Sequence, residues 1–207
     1  MQPAVKKLVR GALVLGVAAV AIAALVRPSR TEGAATSRGA APTPLEVRTP
    51  EGFVVTTAAN LLGRVRSSAT KGTVIGVWAS WCGSCKPELP MFVGLKKTFA
   101  GSVDVELVSV DEADGLARAK QLLDDVRAPD PRYVVGEPLD RFKTAMNPKW
   151  PGMLPATFLF DRTGRLVYFW GGPVYENEIT PLLRRFLAGE HVDGESNFAL
   201  APGAVTR

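Results

Sequence analysis

The sequence predicts an α/β domain in which helices flank a central mixed β-sheet. Short apolar runs rich in β-branched residues alternate with stretches whose apolar residues recur every three or four positions, in the order β-α-β-α-(βα)-β-β-α. The last two predicted strands are separated only by Asp-Arg-Thr-Gly at residues 161–164, which is typical of a hairpin. Strands joined by crossover helices run parallel, so a mixed sheet with a final antiparallel hairpin follows.

The individual elements follow from the same patterns. Within residues 46–57, a hairpin around the Pro-Glu-Gly turn is expected to precede the core fold, and the final helix is expected to end at Gly189. Pro90 falls inside the second predicted helix and is expected to kink it. The predicted strands cover residues 73–78, 103–110, 133–135, 157–160 and 166–170, and the apolar faces of the predicted helices lie within residues 60–66, 89–99, 116–126, 138–145 and 179–187.

The chain has only two cysteines, and both lie in the stretch Cys82-Gly83-Ser84-Cys85. A strand precedes this stretch and a helix follows it, so we expect Cys82 at the helix N-terminus and Cys85 one turn into the helix. Unpaired N–H groups and the helix dipole stabilise a thiolate there, which predicts a pKa for Cys82 below the free value of about 8.5. Cys85 is then placed to resolve a mixed disulfide formed by Cys82.

Two structural interpretations of the cysteine pair compete with redox chemistry. A structural zinc site needs four ligands, whereas the chain offers two cysteines and the distant His191, so neither a metal nor another cofactor is expected. A structural disulfide across two residues would constrain the unfolded chain very little. The strand–turn–helix context therefore favours a redox pair.

Residues 78–90, Trp-Ala-Ser-Trp-Cys-Gly-Ser-Cys-Lys-Pro-Glu-Leu-Pro, resemble the active-site segment of thioredoxin-fold proteins. The pattern Lys86-x-Glu88-x-Pro90 is more similar to the membrane-anchored TlpA/ResA-like thiol:disulfide oxidoreductases than to cytosolic thioredoxin. The resemblance covers about residues 46–188. It implies a thioredoxin fold in which the hairpin is an N-terminal extension.

The resemblance also implies a second half of the active site. Leu154-Pro155 resembles the loop in which a cis proline faces the cysteine pair, and the Leu154 backbone would offer a docking edge to an extended substrate. The alternative is an ordinary trans proline at the start of a strand. Together with Trp81, Gly83 and Ser84, these two residues form the predicted substrate-docking set.

An acidic residue completes the predicted site. Glu88 matches the acid of the TlpA/ResA-like group, whereas Gly76 stands where thioredoxin itself has a buried aspartate. A carboxylate near the pair would raise the thiolate pKa by repulsion, and it would accept a proton from Cys85 when that residue attacks. The predicted catalytic residues are therefore the two cysteines, Glu88 and Pro155. The alternative for Glu88 is a solvated acid in the first helical turn.

These features predict an exported thiol:disulfide oxidoreductase that reduces disulfides in partner proteins and receives electrons from a membrane-borne donor. A disulfide-forming oxidase acting on dithiol proteins is the alternative, because the Gly83-Ser84 dipeptide does not determine the direction of electron transfer between the protein and its partners. A copper-delivery protein matches less well, since the Sco copper chaperones have three residues between their cysteines and a distal histidine. The resemblance implies roles such as cytochrome c maturation or copper-site assembly, and the sequence does not choose between them.

The N-terminal residues predict a membrane anchor. Residues 11–26 are uncharged and, with their apolar neighbours, approach the minimum of about 17 residues for spanning a bilayer. Basic residues before them favour an N-terminus on the inside. A cleaved signal peptide is the alternative, because Ala21-Ile22-Ala23 resembles a cleavage site. The predicted organisation is an anchor (1–26), a flexible tether (27–45), a thioredoxin-like domain (46–189) in the periplasm or otherwise outside the cytoplasmic membrane, and a polar, frayed tail (190–207).

The net charge of +5 does not predict a nucleic-acid surface. The excess of basic residues lies before residue 46, and the remainder of the chain holds 19 basic and 19 acidic residues. A basic excess confined to the N-terminal segment bears on membrane topology, so no nucleic-acid partner is expected.

Overall fold

A computed structural model of the protein describes residues 46–197. The predicted anchor, the predicted tether and residues 198–207 lie outside this range. Between residues 46 and 197, no helix is long and apolar enough to cross a membrane.

The described domain alternates strands and helices in the predicted order. A single turn of 3-10 helix, Ala113–Gly115, precedes the third α-helix. The strands are β1 (Val54–Thr56), β2 (Gly72–Trp78), β3 (Val103–Ser109), β4 (Tyr133–Val135), β5 (Ala156–Asp161), β6 (Leu166–Gly171) and β7 (Gly194–Asn197). The helices are α1 (Ala58–Ser67), α2 (Glu88–Thr98), α3 (Leu116–Asp125), α4 (Leu139–Met146) and α5 (Glu176–Leu187).

The strands form one mixed sheet in the order β1-β4-β3-β2-β5-β6-β7. Strands β1, β4, β3 and β2 run parallel to one another, whereas β5 is antiparallel to both β2 and β6. The predicted mixed sheet with its final antiparallel hairpin is confirmed. Strand β2, which leads into the cysteine motif, lies at the centre of this sheet.

Helices cover both faces of the sheet, so every residue of β2 is buried. Ile75 packs with residues of α1 and α4 on one face, whereas its neighbour Val74 packs with residues of α2 and α5 on the other. A third apolar cluster joins Trp78, at the end of β2, to α2 and α3. The alternation of β2 between two apolar layers explains its nearly continuous apolar sequence.

The predicted N-terminal hairpin is present only as a single antiparallel bridge between Arg48 and Val54, closed by hydrogen bonds between Thr49 and Phe53. The chain then continues as β1, which pairs in parallel with β4. Phe53 is completely buried beside this bridge. The burial of Phe53 and the pairing with β4 bind this segment to the core, so it belongs to the sheet.

The prediction of a frayed tail after Glu190 is wrong for residues 192–197. Val192 is buried in the α2–α5 layer, and β7 pairs in parallel with β6. A Cβ atom at Gly194 would lie 2.9 Å from the Tyr168 ring, so glycine allows the close approach of the two strands. Small polar residues carry no hydrophobic pattern, yet their backbone groups pair as well as those of any other residue.

Candidate active site

The sheet register brings the cysteine motif and the proline loop to one edge. Trp78 ends β2 and pairs with Ser109, the last residue of β3, while Val77 pairs with Ala156, the first residue of β5. Because β5 is antiparallel to β2, the segment that precedes Ala156 lies beside the segment that follows Trp78. The predicted halves of the site therefore meet at the carboxyl end of β2.

The cysteines lie in a series of tight turns between β2 and α2. The N–H of Cys82 donates to the carbonyl of Ala79 (3.1 Å), that of Cys85 to Cys82 (3.3 Å) and that of Glu88 to Cys85 (3.1 Å). Each bond spans three residues, as in a 3-10 helix, and the regular α-helix begins only at Glu88. Pro87 has no N–H to donate to the carbonyl four residues before it, which accounts for the delayed start of α2.

This geometry corrects two predictions. Cys82 is not at the N-terminus of α2 and Cys85 is not one turn inside it, because both precede Glu88. The effect of a helix dipole falls off within about one turn, so it gives little support to a lowered pKa of Cys82. The predicted kink at Pro90 also loses its basis, since Pro90 lies in the first turn of α2, where an N–H has no helical partner.

The two cysteines form a disulfide with an S–S distance of 2.03 Å. Cys82 is 6% exposed and Cys85 is completely buried, so Cys82 is the residue closer to solvent. The Oγ atom of Ser84 lies 3.5 Å from the sulfur of Cys82, and Gly83 and Ser84 are themselves exposed. Trp81, immediately before the pair, leaves 66% of its surface in solvent.

The proline loop has the predicted conformation. The Leu154–Pro155 peptide bond is cis, Pro155 is buried, and Leu154 packs against the apolar cluster that contains both cysteines. The Trp150 indole donates a hydrogen bond to the carbonyl of Met153 (2.9 Å), which holds the loop from below. The side chain of Met153 is half exposed, so this loop adds an apolar surface next to the backbone of Leu154.

The carboxyl group of Glu88 is buried and accepts a hydrogen bond from the N–H of Val174 (2.6 Å), in the loop between β6 and α5. Burial raises the pKa of Glu88 to about 7, and the Val174 bond offsets part of that rise. The alternative of a solvated helix acid is therefore wrong. Glu88 also connects the cysteine segment to a third loop, which carries the exposed Tyr175.

Sequence reasoning missed a second buried carboxylate at this edge. Asp111, two residues after β3 ends, accepts hydrogen bonds from Ser80 and Ser109 and is 4% exposed. Its position after the carboxyl end of a central parallel strand was a usable signal, because polar side chains at such positions often line sites in α/β sheets. The partner Ser80 lies 31 residues away in the sequence, and no local pattern predicts that contact.

Comparison with known proteins agrees with this architecture. Residues 52–123 match the family model described as Thioredoxin. The matched residues include the cysteine turn and end in α3, so the chain is similar to thioredoxin over this part of its length. A solved structure of an uncharacterised conserved protein from Geobacillus kaustophilus superimposes with a TM-score of 0.53 at 19% identity, over 74% of this chain and 87% of that one, and so supports the fold alone.

Two curated relatives of the chain are named for disulfide chemistry. The chain is 30% identical over 117 residues to the thiol:disulfide interchange protein HelX of Rhodobacter capsulatus, a match covering 56% of this chain and 61% of the relative. It is 27% identical over 122 residues to the thiol-disulfide oxidoreductase ResA of Bacillus subtilis, over 58% and 64% of the two chains. The match spans less than two thirds of the length of each relative.

Proposed function

We propose that the protein is an exported thiol:disulfide oxidoreductase that reduces disulfide bonds in partner proteins through Cys82 and Cys85. The observation that carries this proposal is the disulfide between the only two cysteines, of which Cys82 is slightly exposed (6%) and Cys85 is completely buried. This pair lies beside the Leu154–Pro155 loop at one edge of a thioredoxin domain. Relatives named for disulfide interchange support the same chemistry.

The reaction begins with the reduced pair. The thiolate of Cys82 attacks one sulfur of a substrate disulfide, so a mixed disulfide forms and the other substrate sulfur leaves as a thiolate, which takes up a proton. The thiolate of Cys85 then attacks the Cys82 sulfur, breaks the mixed disulfide and releases the second substrate thiolate. Two electrons pass to the substrate, and the protein is left with the Cys82–Cys85 disulfide.

Glu88 is the proposed proton acceptor for Cys85. It lies three residues after Cys85, and its N–H donates to the Cys85 carbonyl, so the two residues belong to one tight turn. A carboxyl group with a pKa of about 7 is present in both protonation states near neutral pH. It can therefore take the thiol proton when Cys85 attacks and return that proton to solvent afterwards.

The substrate segment is proposed to lie extended along the backbone of Leu154, where Pro155 offers no competing N–H. Trp81, Gly83 and Ser84 are exposed on the other side of the pair. Their exposure leaves the Cys82 side of the disulfide open to a protein chain. We therefore expect the partners to be disulfide-containing proteins, with no role for nucleic acid.

Export and electron supply complete the proposal. The anchor over residues 1–26 would hold the domain at the outer side of the cytoplasmic membrane, and the tether would let it reach partners near that surface. The oxidised pair must be reduced again before each new cycle. A membrane-borne dithiol protein is the proposed donor, because it can pass two electrons by the same exchange in reverse.

The proposal is tested by trapping partners in cells. A Cys85→Ala variant of the full-length protein should accumulate mixed disulfides, because Cys82 attacks and nothing resolves the product, whereas Cys82→Ala should accumulate none. The wild-type pair should be found mostly as thiols after rapid acid quenching and alkylation. Equal trapping by both variants would overturn the assignment of Cys82, and a pair found mostly as a disulfide would favour the oxidase alternative.

A further inference from the structure

A closed hydrogen-bond cluster lies directly behind the cysteine turn. The carboxylate of Asp111 accepts bonds from the Ser80 N–H (2.8 Å), the Ser80 hydroxyl (2.7 Å) and the Ser109 hydroxyl (2.7 Å). The Asp111 N–H in turn donates to the Ser109 hydroxyl (2.9 Å). All three residues are at most 4% exposed. Within residues 46–197 none of the ion pairs includes Asp111, so these donors alone compensate its buried carboxylate.

Ser80 connects this cluster to the nucleophile. The N–H of Cys82 donates to the carbonyl of Ala79, so residues 79–82 form a turn in which Ser80 is the second residue. Asp111 binds both the backbone and the side chain of Ser80, which fixes the orientation of that residue in the turn. Ser109 ends β3 and pairs with Trp78. The hydrogen bonds of the cluster therefore attach the turn to the centre of the sheet.

The cluster matters most when the cysteines are reduced. In the disulfide state a covalent bond to the buried Cys85 holds the Cys82 sulfur in place. Reduction removes that bond, and the direction of the Cys82 side chain then depends on the turn that carries it. An attacking thiolate must approach the substrate disulfide along a defined line, so freedom in this turn lowers the rate of attack.

We infer that Asp111 is a positioning residue that aims Cys82 at the substrate by holding Ser80 through hydrogen bonds. The inference rests on the proposed function and adds a residue to it. Asp111 is expected to act through hydrogen-bond geometry and not through its charge, so an amide at this position should serve as well as the carboxylate. The oxygen of an asparagine can accept from the Ser80 N–H while its NH₂ group donates to the Ser80 hydroxyl, which rotates to accept. Asp111→Asn should therefore keep the turn in place, and Asp111→Ala should not.

Gly115 offers an independent way to disturb the cluster. A Cβ atom at this position would lie 2.6 Å from Oδ1 of Asp111, and the backbone there has an ordinary negative φ of −85°. Gly115→Ala should therefore displace the carboxylate without removing it. Gly94→Ala is the matched control, because Gly94 is exposed on α2 and a Cβ there meets nothing within 4 Å.

The test measures kcat and KM for insulin reduction by the full-length protein with dithiothreitol as the reductant. Asp111→Ala, Ser80→Ala and Gly115→Ala should each lower kcat about tenfold with KM changed less than about twofold, because aim and not docking is affected. Asp111→Asn and Gly94→Ala should stay within about threefold of wild type. Equal losses in Asp111→Asn and Asp111→Ala would overturn the inference, since charge and not geometry would then matter. Wild-type rates in Ser80→Ala and Gly115→Ala would overturn it as well.

A second probe separates this inference from the proposed function. The attack of Cys82 on the small aromatic disulfide DTNB is measured in the reduced Cys85→Ala background, where only one thiol is present. Rapid attack on DTNB in this background, together with a wild-type protein that leaves insulin intact, would contradict the proposed function. The same ranking of variants should hold with DTNB, and identical DTNB rates in all variants would overturn the positioning role even if one variant folded poorly in the insulin assay.

Discussion

Two carboxylates are buried to the same depth at the active-site edge and have different surroundings. Glu88 is 6% exposed and Asp111 is 4% exposed. Among the described residues Glu88 accepts one hydrogen bond, from Val174, whereas Asp111 accepts three, from Ser80 and Ser109. A buried acid with few donors holds its proton to higher pH, and one surrounded by donors anchors the backbone that supplies them. The number of donors therefore distinguishes the proposed proton acceptor, Glu88, from the proposed positioning residue, Asp111.

The largest expected effect on stability comes from removing the carboxylate of Asp111, which accepts three hydrogen bonds. Asp111→Ala leaves the Ser80 N–H and two hydroxyls without their acceptor, so the free energy of unfolding should fall by about 2–4 kcal/mol. Urea denaturation of the oxidised protein measures this change. Asp125→Ala removes an exposed acid and should change stability by less than about 0.5 kcal/mol. A loss no larger than this control's would mean that the three bonds contribute nothing.

Replacing Glu88, which accepts one hydrogen bond, should instead raise the stability of the protein above neutral pH. The folded pKa of Glu88, about 7, lies above its model value of 4.5, so ionisation opposes folding, and the stability that the neutral acid provides is lost as the pH rises from about 4.5 to 7. Glu88→Gln cannot ionise and can still accept from the Val174 N–H. The variant should be about 3 kcal/mol more stable than wild type at pH 8 and equal to it at pH 4.

Denaturation curves at the two pH values check the sign of this effect. Glu112→Gln removes an exposed carboxyl in the loop after β3 and serves as the control, with no expected change in pH dependence. A Glu88→Gln variant that is less stable than wild type at pH 8 would contradict a buried, weakly compensated acid.

A smaller effect is expected on the thiols. Loss of the Glu88 charge removes repulsion of a nearby thiolate, so the rate of iodoacetamide alkylation in the reduced protein should reach its half-maximum about half a pH unit lower in Glu88→Gln. The pH profile of alkylation measures the shift, and Glu112→Gln should show none. An unchanged profile in Glu88→Gln would mean that the carboxylate is too far from the pair to influence it.

The smallest effect is expected from a neutral neighbour of the sulfur. Ser84→Ala removes the hydroxyl that lies 3.5 Å from the Cys82 sulfur, and because Ser84 is exposed, water can replace this hydrogen bond, so it stabilises a thiolate only weakly. The alkylation rate at neutral pH should change by less than about threefold. A tenfold slower reaction would show that a hydroxyl, more than either acid, controls the reactivity of Cys82.

The parts of the molecule that local patterns predict are the sheet, the C-terminal hairpin and the turn that carries the cysteines. Hydrophobic periodicity specifies these elements because burial follows directly from side-chain chemistry. The prediction placed the start of α2 too early, because Pro87 has no N–H to donate to the carbonyl four residues before it and α2 begins only at Glu88. Glu88 and Val174 are 86 positions apart in the sequence, and Asp111 and Ser80 are 31 positions apart. Only the folded chain brings such partners together.

The short strand β7 has a consequence for solubility. Strand β6 has the sequence Leu-Val-Tyr-Phe-Trp-Gly, an uncharged run of β-forming residues of the kind that recruits further strands when its edge is free. The polar strand Gly-Glu-Ser-Asn occupies that edge, and the charged side chain of Glu195 is exposed. The polar strand β7 thus disfavours pairing between the edges of neighbouring copies. A chain ending at residue 190 would uncover β6, and we expect such a chain to precipitate even though its cysteine turn is complete.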